Sequence, residues 1–483
     1  MRIFYRSSAS CGILTGVDPR VRILNEAPPR PNARYVLYWA QMNRRVESNH
    51  ALLHAVEMAN RHKLPLLFYE AITYRYPHAN DRHHTFLLEG VPETARRLAK
   101  LGVGYVFYLE RGPQDPKDVL YQLAANALAV VTDDYPTFIA RKHNASVPSK
   151  IGIPYHAVDS SCIVPMSLME KREWAAYTIR PKIHRLLPQY LKPVHPIHLA
   201  VPYTDQVPAF HTTVTAETIP ALVASCQIDH TVKPSTTYRG GRIPAERTLQ
   251  RFLKDRLRRY PQERNDPAAH ATSDLSPYLH YGHISALEIA LAAKAYAAEH
   301  KLVADEFLEE LIVRRELAFN YARFSDPPDT FAQIPSWAQQ TLAKHAADQR
   351  DPSYTREQFE QAQTHDPLWN ATQKEMLLRG KIHGYYRMYW GKKIIEWSPT
   401  HEDALQTMVY LHDRYAVDGR DPNTYTNILW CFGLHDRPWQ ERPIFGMIRF
   451  MSYDGMRRKT AVDAYIREID YLERTGKDLF TLQ

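Results

Sequence analysis

The stretch "RYVLYWAQMNRRVESNHALLHAVEMANRHKLPLLFYEA", residues 34–71, contains two short apolar runs with a longer mixed segment between them. The two runs, at 34–40 and 64–71, are rich in aromatic and aliphatic side chains, which predicts buried strands. In residues 49–62, apolar side chains recur every three or four positions, which predicts an amphipathic helix. A strand, a helix and a second strand in this order predict two parallel strands with the helix packed on the sheet.

The same alternation continues to about residue 160. Three further apolar runs predict buried strands, namely "GYVFYLE" (104–110), "LAVVTDD" (128–134) and "PYHAVD" (154–159), and residues 86–102 predict another helix. We therefore predict an α/β domain over residues 1–190, with a parallel sheet and helices on both faces. No GxGxxG motif follows any of these strands, so an ordinary dinucleotide-binding site is not indicated.

The chain changes character after residue 190. Residues 191–244 are rich in proline and threonine and lack periodicity, which predicts an interdomain linker. From residue 245 to residue 483, apolar side chains recur at helical spacing, as in "AERTLQRFLKDRLRRY" and "YYRMYWGKKIIEW". An all-α C-terminal domain is therefore expected after the α/β domain.

The composition of the 483 residues, 44% hydrophobic and 24% charged, is typical of a globular protein. The sequence contains no run of 18 apolar residues, so no membrane span is predicted. The first 16 residues lack the apolar core of a signal peptide. The four cysteines are widely spaced and form neither a disulfide framework nor a zinc motif: Cys11, Cys162, Cys226 and Cys431. We expect a cytoplasmic protein without a metal site, and a monomer.

The net charge of +8 is compatible with a polyanionic partner but does not require one. In the tail, residues 442–466, the basic residues Arg449, Arg457, Arg458 and Lys459 alternate with aromatic and methionine side chains. Basic residues between aromatic rings suit a nucleic-acid surface, because charge binds phosphates and rings stack on bases. Solvated helix ends explain the pattern equally well.

Three other patterns could carry chemistry. The hydroxyls in "TSDLSPYLHYG" (272–282) precede a predicted helix and either cap it or bind a phosphate group. Trp390 and Trp397 lie seven residues apart on one helix face, and Trp369 precedes them. Such a stripe is either ordinary core or a chain of oxidisable side chains.

The third pattern is "LHDRYAVDGRDPN" (411–423), which holds two arginines, three aspartates and a histidine between apolar segments. It is either a surface loop or the lining of a polar cofactor pocket. Asp418 could form a buried ion pair with Arg387 on the preceding helix. Because burying a charge pair is a poor way to gain stability, such a pair would serve a polar ligand.

Several motifs in this order resemble the class II cyclobutane pyrimidine dimer photolyases of the photolyase/cryptochrome superfamily. They are "AAYTIRPKIHRLLPQYL", "TSDLSPYLHYGHIS", "FLEELIVRREL", "DPLWNA", "KIHGYYRMYWGKKIIEW", "DGRDPN" and "HDRPWQERPIFGMIRFMSY". The resemblance extends from about residue 20 to residue 470. It implies an α/β domain, a long linker and a helical domain that holds FAD.

The resemblance also implies site residues on the cofactor side. Those expected to bind FAD are Thr272, Ser273, Leu275, Ser276, Arg387, His412, Asp418 and Asp421, with the Arg387–Asp418 pair facing the flavin ring. The tryptophans expected to pass electrons to the flavin are, from the flavin outward, Trp390, Trp369 and Trp397. An antenna pigment, either a deazaflavin or a folate, is a further expectation without assigned residues.

On the substrate side, the residues expected to contact a pyrimidine dimer in DNA are Arg264, Glu310, Met388, Trp430, Asp436 and Arg449. The implied reaction is light-driven: reduced anionic FAD passes an electron to a flipped-out dimer, and the cyclobutane ring opens. Enzymes of this kind extrude the target base from the duplex. We expect Glu310 to be buried, with a raised pKa, so that its protonated carboxyl can donate to the dimer.

Three positions depart from the family pattern. His412 replaces the asparagine beside flavin N5, Cys431 and Phe432 lie in a shortened segment, and Phe319 stands where relatives often carry a polar residue. Because an imidazole can be protonated near neutral pH, we expect a protonated His412 to change which flavin redox state is stable. This substitution favours an alternative function, a cryptochrome-like photosensor that binds FAD without repair. Glu310 and Trp430 favour repair, and the three tryptophans argue against a light-independent nucleic-acid-binding protein.

Overall fold

The computed structural model describes residues 18–478. Cys11 and the N-terminal stretch predicted to lack a signal peptide lie outside the described residues. Within residues 18–478, no helix is both long enough and apolar enough to cross a membrane.

The first part of the chain forms one six-stranded sheet. Its strands are β1 Val21–Ile23, β2 Tyr35–Trp39, β3 Leu66–Thr73, β4 Gly104–Glu110, β5 Ala127–Asp133 and β6 Tyr155–Val158. The strand order is β1-β6-β5-β2-β3-β4, and only β1 is antiparallel to its neighbour. All five predicted strands are therefore confirmed as one parallel sheet. Strand β1 was not predicted because its three residues are mostly exposed and form no apolar run.

Helices cover both faces of this sheet, as predicted. They are α1 His50–His62, α2 Asp81–Leu88, α3 Val91–Lys100, α4 Val119–Ala124 and α5 Phe138–Ser146, and α6 Ala176–Tyr190 follows and packs against residues 309–314. Alternate residues of β2 enter different cores: Val36 and Tyr38 pack with α1, whereas Tyr35 and Leu37 pack with α4. The single helix expected at 86–102 is two helices, because α2 ends at Leu88 and α3 begins with a proline in its first turn.

No β-strand follows Val158 within the described part of the chain. The helices are α7 Ile219–Ala224, α8 Arg242–Arg251, α9 Tyr260–Glu263, α10 Ser276–His280, α11 Ala286–His300, α12 Asp305–Leu308, α13 Arg315–Arg323, α14 Ser336–Lys344, α15 Arg356–Glu360, α16 Pro367–Arg379, α17 Gly384–Trp397, α18 His401–Tyr415, α19 Pro422–Trp430, α20 Tyr453–Arg457 and α21 Val462–Thr475. Two π-helical segments, Phe252–Arg256 and Glu309–Arg314, continue α8 and α12.

The predicted linker runs over the surface of the sheet before it reaches the helices. Its backbone bonds to the β4 edge, since Thr212 N–H donates to the Phe107 carbonyl at 2.8 Å. It contains one complete helix, α7, and the first three residues of α8. Further along, Thr236 N–H donates to the Leu378 carbonyl at the end of α16. The segment therefore connects the sheet to the helices that carry the candidate site.

Candidate cofactor and substrate site

The polar stretch 411–423 is buried rather than a surface loop. It consists of the last turn of α18, a short connection and the first turn of α19, and most of its residues are shielded from solvent. Helix α17 packs against α18, and α18 packs against α19. This packing brings Arg387 on α17 next to the connection between the other two helices.

The predicted ion pair between Arg387 and Asp418 is present. One guanidinium nitrogen lies 3.1 Å from each carboxylate oxygen of Asp418, and the Ser276 hydroxyl donates to the same carboxylate at 2.7 Å. Burial favours a higher pKa for Asp418, but the charges of Arg387 and Lys381 outweigh it and hold the pKa below its usual range. Arg387 Nε is buried and has no hydrogen-bond partner among the described residues.

His412 lies beside this pair and is 1% exposed. Its Nδ1 is 3.2 Å from the Met408 carbonyl, and its ring packs edge-on against Trp390 at a centroid distance of 5.0 Å. A carbonyl can only accept, so Nδ1 carries the hydrogen and Nε2 presents a lone pair. Nε2 is buried and unpartnered within residues 18–478.

The expectation of a protonated His412 near neutral pH is wrong. Burial, followed by the positive charge of Arg387, lowers the pKa of His412 to about 3. The position therefore offers a neutral acceptor, whereas the asparagine of the family pattern can either donate or accept.

The three predicted tryptophans form a continuous buried chain. Trp390 and Trp369 are stacked with their rings 6.3 Å apart and 5° from parallel, and Trp397 follows at 6.5 Å from Trp369. Trp369 Nε1 donates to the Trp390 carbonyl at 3.0 Å, which fixes this stack. Beyond Trp397 lie the rings of Tyr354 and His365, which sequence reasoning did not identify.

The predicted phosphate-binding hydroxyls lie just before and at the start of α10. Leu275 is the N-cap residue of α10, and it supplies no side-chain hydrogen bond to the helix. Thr272, Ser273 and Ser276 are half-buried. Between them, buried Asp274 accepts from Arg256 and from Lys381, each at 2.7 Å. No spacing in the sequence indicated this three-residue charge cluster.

Asp421, predicted to bind the cofactor, is occupied by protein donors. It caps α19 by accepting from Asn423 N–H at 2.9 Å, and it also accepts from the Tyr135 hydroxyl at 2.6 Å. Its pKa lies below the usual range because the hydrogen bond and charge of His280 outweigh the opposing effect of burial. These contacts give Asp421 a structural reason to be charged, and its cofactor role stays a prediction.

The substrate-side residues fall into two clusters. In the first, Arg264 donates to Glu310 at 2.8 Å, and Glu310 lies in the π-helical segment after α12. The side chain of Glu310 is 40% exposed, so the expectation of a buried carboxyl is wrong. The apolar neighbours Leu311 and Ile312 occupy the core, which leaves Glu310 at the surface.

The second cluster centres on the half-buried ring of Trp430 at the end of α19, and Met388 on α17 packs against the same hydrophobic core. The Arg449 guanidinium lies 5.6 Å from this ring and 4.9 Å from the ring of Trp439. Trp439, which is 38% exposed, donates from Nε1 to Asp436 at 3.3 Å and was not predicted. The first cluster supplies an ion pair, and the second supplies aromatic rings beside a guanidinium.

The remaining departures from the family pattern are core residues. Cys431 and Phe432 are buried, and Phe432 packs edge-on against Phe331 at 4.9 Å. Phe319 is fully buried and packs edge-on against Tyr135 at 5.4 Å, so an apolar ring fits this position. Within the described residues, no group of three or more His, Cys, Asp or Glu side chains could hold a metal ion.

A mostly parallel sheet followed by a helical region is the architecture of photolyases and cryptochromes, and solved structures agree. A cryptochrome from Synechocystis sp. PCC6803 superposes with a TM-score of 0.68 at 17% identity, covering 93% of this chain and 90% of that one. A class III photolyase from Agrobacterium tumefaciens gives 0.65 at 18% identity, covering 93% of each chain. An archaeal photolyase from Sulfolobus tokodaii, solved with two FAD molecules, gives 0.65 at 17% identity, covering 91% of each chain. These likenesses establish the fold.

The family itself follows from closer relatives. The family pattern described as DNA photolyase matches residues 36–200. The deoxyribodipyrimidine photo-lyase of Methanothermobacter thermautotrophicus is 40% identical over 451 residues, covering 93% of this chain and 98% of that protein. That of Oryza sativa subsp. japonica is 38% identical over 471 residues, covering 95% and 92%. The chain belongs to the DNA photolyase family.

Proposed function

We propose that this protein is a deoxyribodipyrimidine photo-lyase of class II, which uses FAD and light to repair cyclobutane pyrimidine dimers in DNA. The observation that carries the proposal is the buried chain of Trp397, Trp369 and Trp390, which ends beside two unpartnered buried polar atoms. A protein that only binds nucleic acid needs neither feature. The photo-lyase relatives match nearly the whole chain at 36–40% identity, whereas the cryptochrome shares 17%.

The residues at the site fit a flavin dinucleotide. Arg387 Nε and His412 Nε2 are a donor and an acceptor without partners among residues 18–478, as the edge of a polar ring requires. The hydroxyls of Thr272 and Ser273 suit phosphate oxygens, whereas the single O–H of Ser276 donates to Asp418 at 2.7 Å. When bound, reduced FAD supplies the light-excited electron that opens the cyclobutane ring.

The chain's own residues orient the participants. Arg387 and Asp418 hold opposite charges in a fixed buried pair, so neither has to reorganise around the cofactor. The tryptophan stack gives electrons a dry path toward the flavin, because Trp369, Trp390 and Trp397 are each at most 4% exposed. His412 holds a hydrogen-bond acceptor at one fixed atom.

On the substrate side, a flipped dimer needs a stacking surface and charge for the backbone around it. Trp430 and Met388 supply apolar contact, and Arg449 and Arg264 supply positive charge. Glu310 accepts a hydrogen bond from Arg264. When the substrate enters, Glu310 either keeps this bond or exchanges it for one with the dimer. Asp436 orients the ring of Trp439 at the rim.

The finer assignments belong to the same proposal. Class II is supported by the motifs of residues 272–285, 384–397 and 435–453 and by the low identity, 18%, to the class III photolyase. We assign residues 1–190 to an α/β domain, 191–244 to the linker and 245–483 to the FAD- and DNA-binding domain. The protein acts as a monomer where the cell keeps its DNA, with a deazaflavin or folate antenna as a second chromophore.

The decisive experiment measures repair of an oligonucleotide that carries one thymine dimer, in blue light and in darkness, after flavin bands are recorded. We expect light-dependent repair by the wild-type protein and none in darkness. The matched control is Trp369→Phe with its flavin reduced chemically. It should repair normally, because the tryptophan chain reduces the flavin and does not react with the dimer. Bound flavin without repair in light would overturn the proposal and favour the photosensor.

A further inference from the structure

Lys392 on α17 is a fully buried cation, with 0% of its surface exposed. Its Nζ donates to the Cys431 carbonyl at 2.6 Å, and it forms no ion pair with any described residue. The next residue differs: Lys393 Nζ lies 2.6 Å from the Glu396 carboxylate. Because burying an ammonium without a counter-charge is costly, stability alone does not explain Lys392.

The surroundings of Lys392 connect it to the second substrate cluster. Its Nζ lies 5.3 Å from the centroid of the Trp430 ring, within the range of a cation–π contact. Helices α17 and α19 touch at this point, because a Cβ on Gly391 would lie 2.7 Å from Cys431 Sγ. Lys392 thus joins the helix of the ion pair and the tryptophan chain to the last turn that carries Trp430.

We propose that Lys392 is a positioning residue for the substrate pocket, which fixes the Trp430 ring through a cation–π contact and anchors the end of α19 through the Cys431 carbonyl. The inference rests on the proposed function, in which Trp430 contacts the dimer. A stacking platform is effective only when its ring is already held in place, since ordering it on binding would cost free energy.

The charge of Lys392 depends on pH in an accessible range. Burial lowers its pKa to about 8, with Cys431 and Asp436 acting in the opposite direction and Arg449 in the same one. The folded-state pKa is depressed below the unfolded value of 10.5, so the unfolded chain binds more protons between pH 8 and 10.5. The free energy of unfolding should therefore rise over this range, while the contact to Trp430 weakens.

As the pH rises, stability should increase while the contact to Trp430 weakens. These opposite changes distinguish a positioning role of Lys392 from a merely structural one. Binding of a dimer-containing duplex and of the same undamaged duplex should be measured for the wild-type holo-protein, Lys392→Met and the matched control Lys393→Met. We expect Lys392→Met to lose roughly tenfold in dimer affinity without losing stability, as for a desolvated cation–π contact. Affinity of the wild type should fall above pH 8, whereas Lys392→Met should be flat and Lys393→Met should follow the wild type.

Equal dimer affinity of Lys392→Met and wild type would overturn the inference, as would a parallel loss of affinity and stability. A second readout needs neither DNA nor light. In 5-fluorotryptophan-labelled holo-protein, the Trp430 signal, assigned with Trp430→Phe, should titrate with a midpoint near 8 in the wild type and not in Lys392→Met. If the wild type does not distinguish damaged from undamaged DNA, the proposed function fails. The pH titration of the Trp430 signal then tests the Lys392–Trp430 contact by itself.

Discussion

Helix α17 separates two regions that differ in how their buried polar atoms are satisfied. On the tryptophan side, Trp369 Nε1 donates to a carbonyl and Trp390 Nε1 donates to the Gln373 amide at 2.9 Å. On the pocket side, Arg387 Nε and His412 Nε2 have no partner among the described residues. Because buried polar atoms in folded proteins are almost always hydrogen-bonded, the two indole groups are satisfied by the protein itself, whereas the two unpartnered atoms indicate a ligand.

The largest effect on stability and FAD binding is expected when the pocket side loses one charge of its ion pair. Asp418→Asn leaves the Arg387 guanidinium buried and unpaired, which we expect to cost roughly 3–5 kcal/mol of unfolding free energy. Urea unfolding measures this loss, and the ratio of flavin to protein absorbance measures retained FAD, which we expect to be small.

The matched control is Glu263→Gln, at the end of α9, which breaks an exposed pair with Arg259 just before that helix. Both side chains of that pair are more than one third exposed, so the change should cost less than about 1 kcal/mol. Comparable losses in the two variants would contradict the view that the buried pair is held in place for a ligand.

His412 gives the next largest effect, and it depends on pH. The folded-state pKa of about 3 lies below the usual 6.5, so His412 binds more protons in the unfolded state between these values. Stability from neutral His412 is complete above pH 6.5 and falls as the pH drops toward 3, by on the order of 2 kcal/mol at pH 5. His412→Asn should remove this slope in urea unfolding series at pH 4–8. A slope equal to that of the wild type would show that His412 is not the buried neutral group described above.

The same variant tests the cofactor side. Between pH 5 and 9 His412 stays neutral, so its replacement should shift the flavin reduction potential by a constant amount rather than by a pH-dependent one. Spectroelectrochemical titration across this range measures the shift. If the wild-type reduction potential changes slope near pH 6.5 and His412→Asn removes this change, then His412 is protonated near neutral pH.

On the tryptophan side, Trp369→Phe keeps an aromatic ring but removes the Nε1 hydrogen bond and the oxidisable indole. We expect a stability loss of about 1–2 kcal/mol, from a small cavity and one lost hydrogen bond. Photoreduction of bound FAD by an external donor should lose most of its rate at unchanged flavin content. A photoreduction rate equal to that of the wild type would show that the stack is only core.

How far the sequence predicts the molecule also differs between regions. The five parallel strands were predictable because each is a short apolar run with helical sequence between, as is typical of strands buried on both faces of a sheet. Strand β1 was not, because three mostly exposed residues at a sheet edge carry no such signal. The order Trp390, Trp369, Trp397 could be predicted by resemblance, but the 5° stacking angle depends on how α16 packs on α17.

The charge states in the site were less predictable. Sequence indicates residue type, whereas the pKa of His412 depends on burial and on the distance to Arg387, which come from three helices meeting. Lys392 gave no signal, since a lysine beside another lysine on a helix is usually exposed. Glu310 was misjudged because its burial was inferred from a protonated role at the dimer, while the π-helical turn leaves its carboxylate at the surface.

Glu310 also gives the smallest expected effect on stability, which sharpens the comparison between a buried and a partly exposed ion pair. Glu310→Gln removes a pair with Arg264 whose side chains are 40% and 29% exposed, so unfolding should change by less than about 1 kcal/mol. Repair should fall clearly at unchanged flavin content, since the carboxylate is lost where the dimer binds. Glu306→Gln, which removes the second and more exposed carboxylate beside Arg264, is the matched control and should repair normally. Equal repair by both variants would move the substrate contact from Glu310 to the Trp430 cluster.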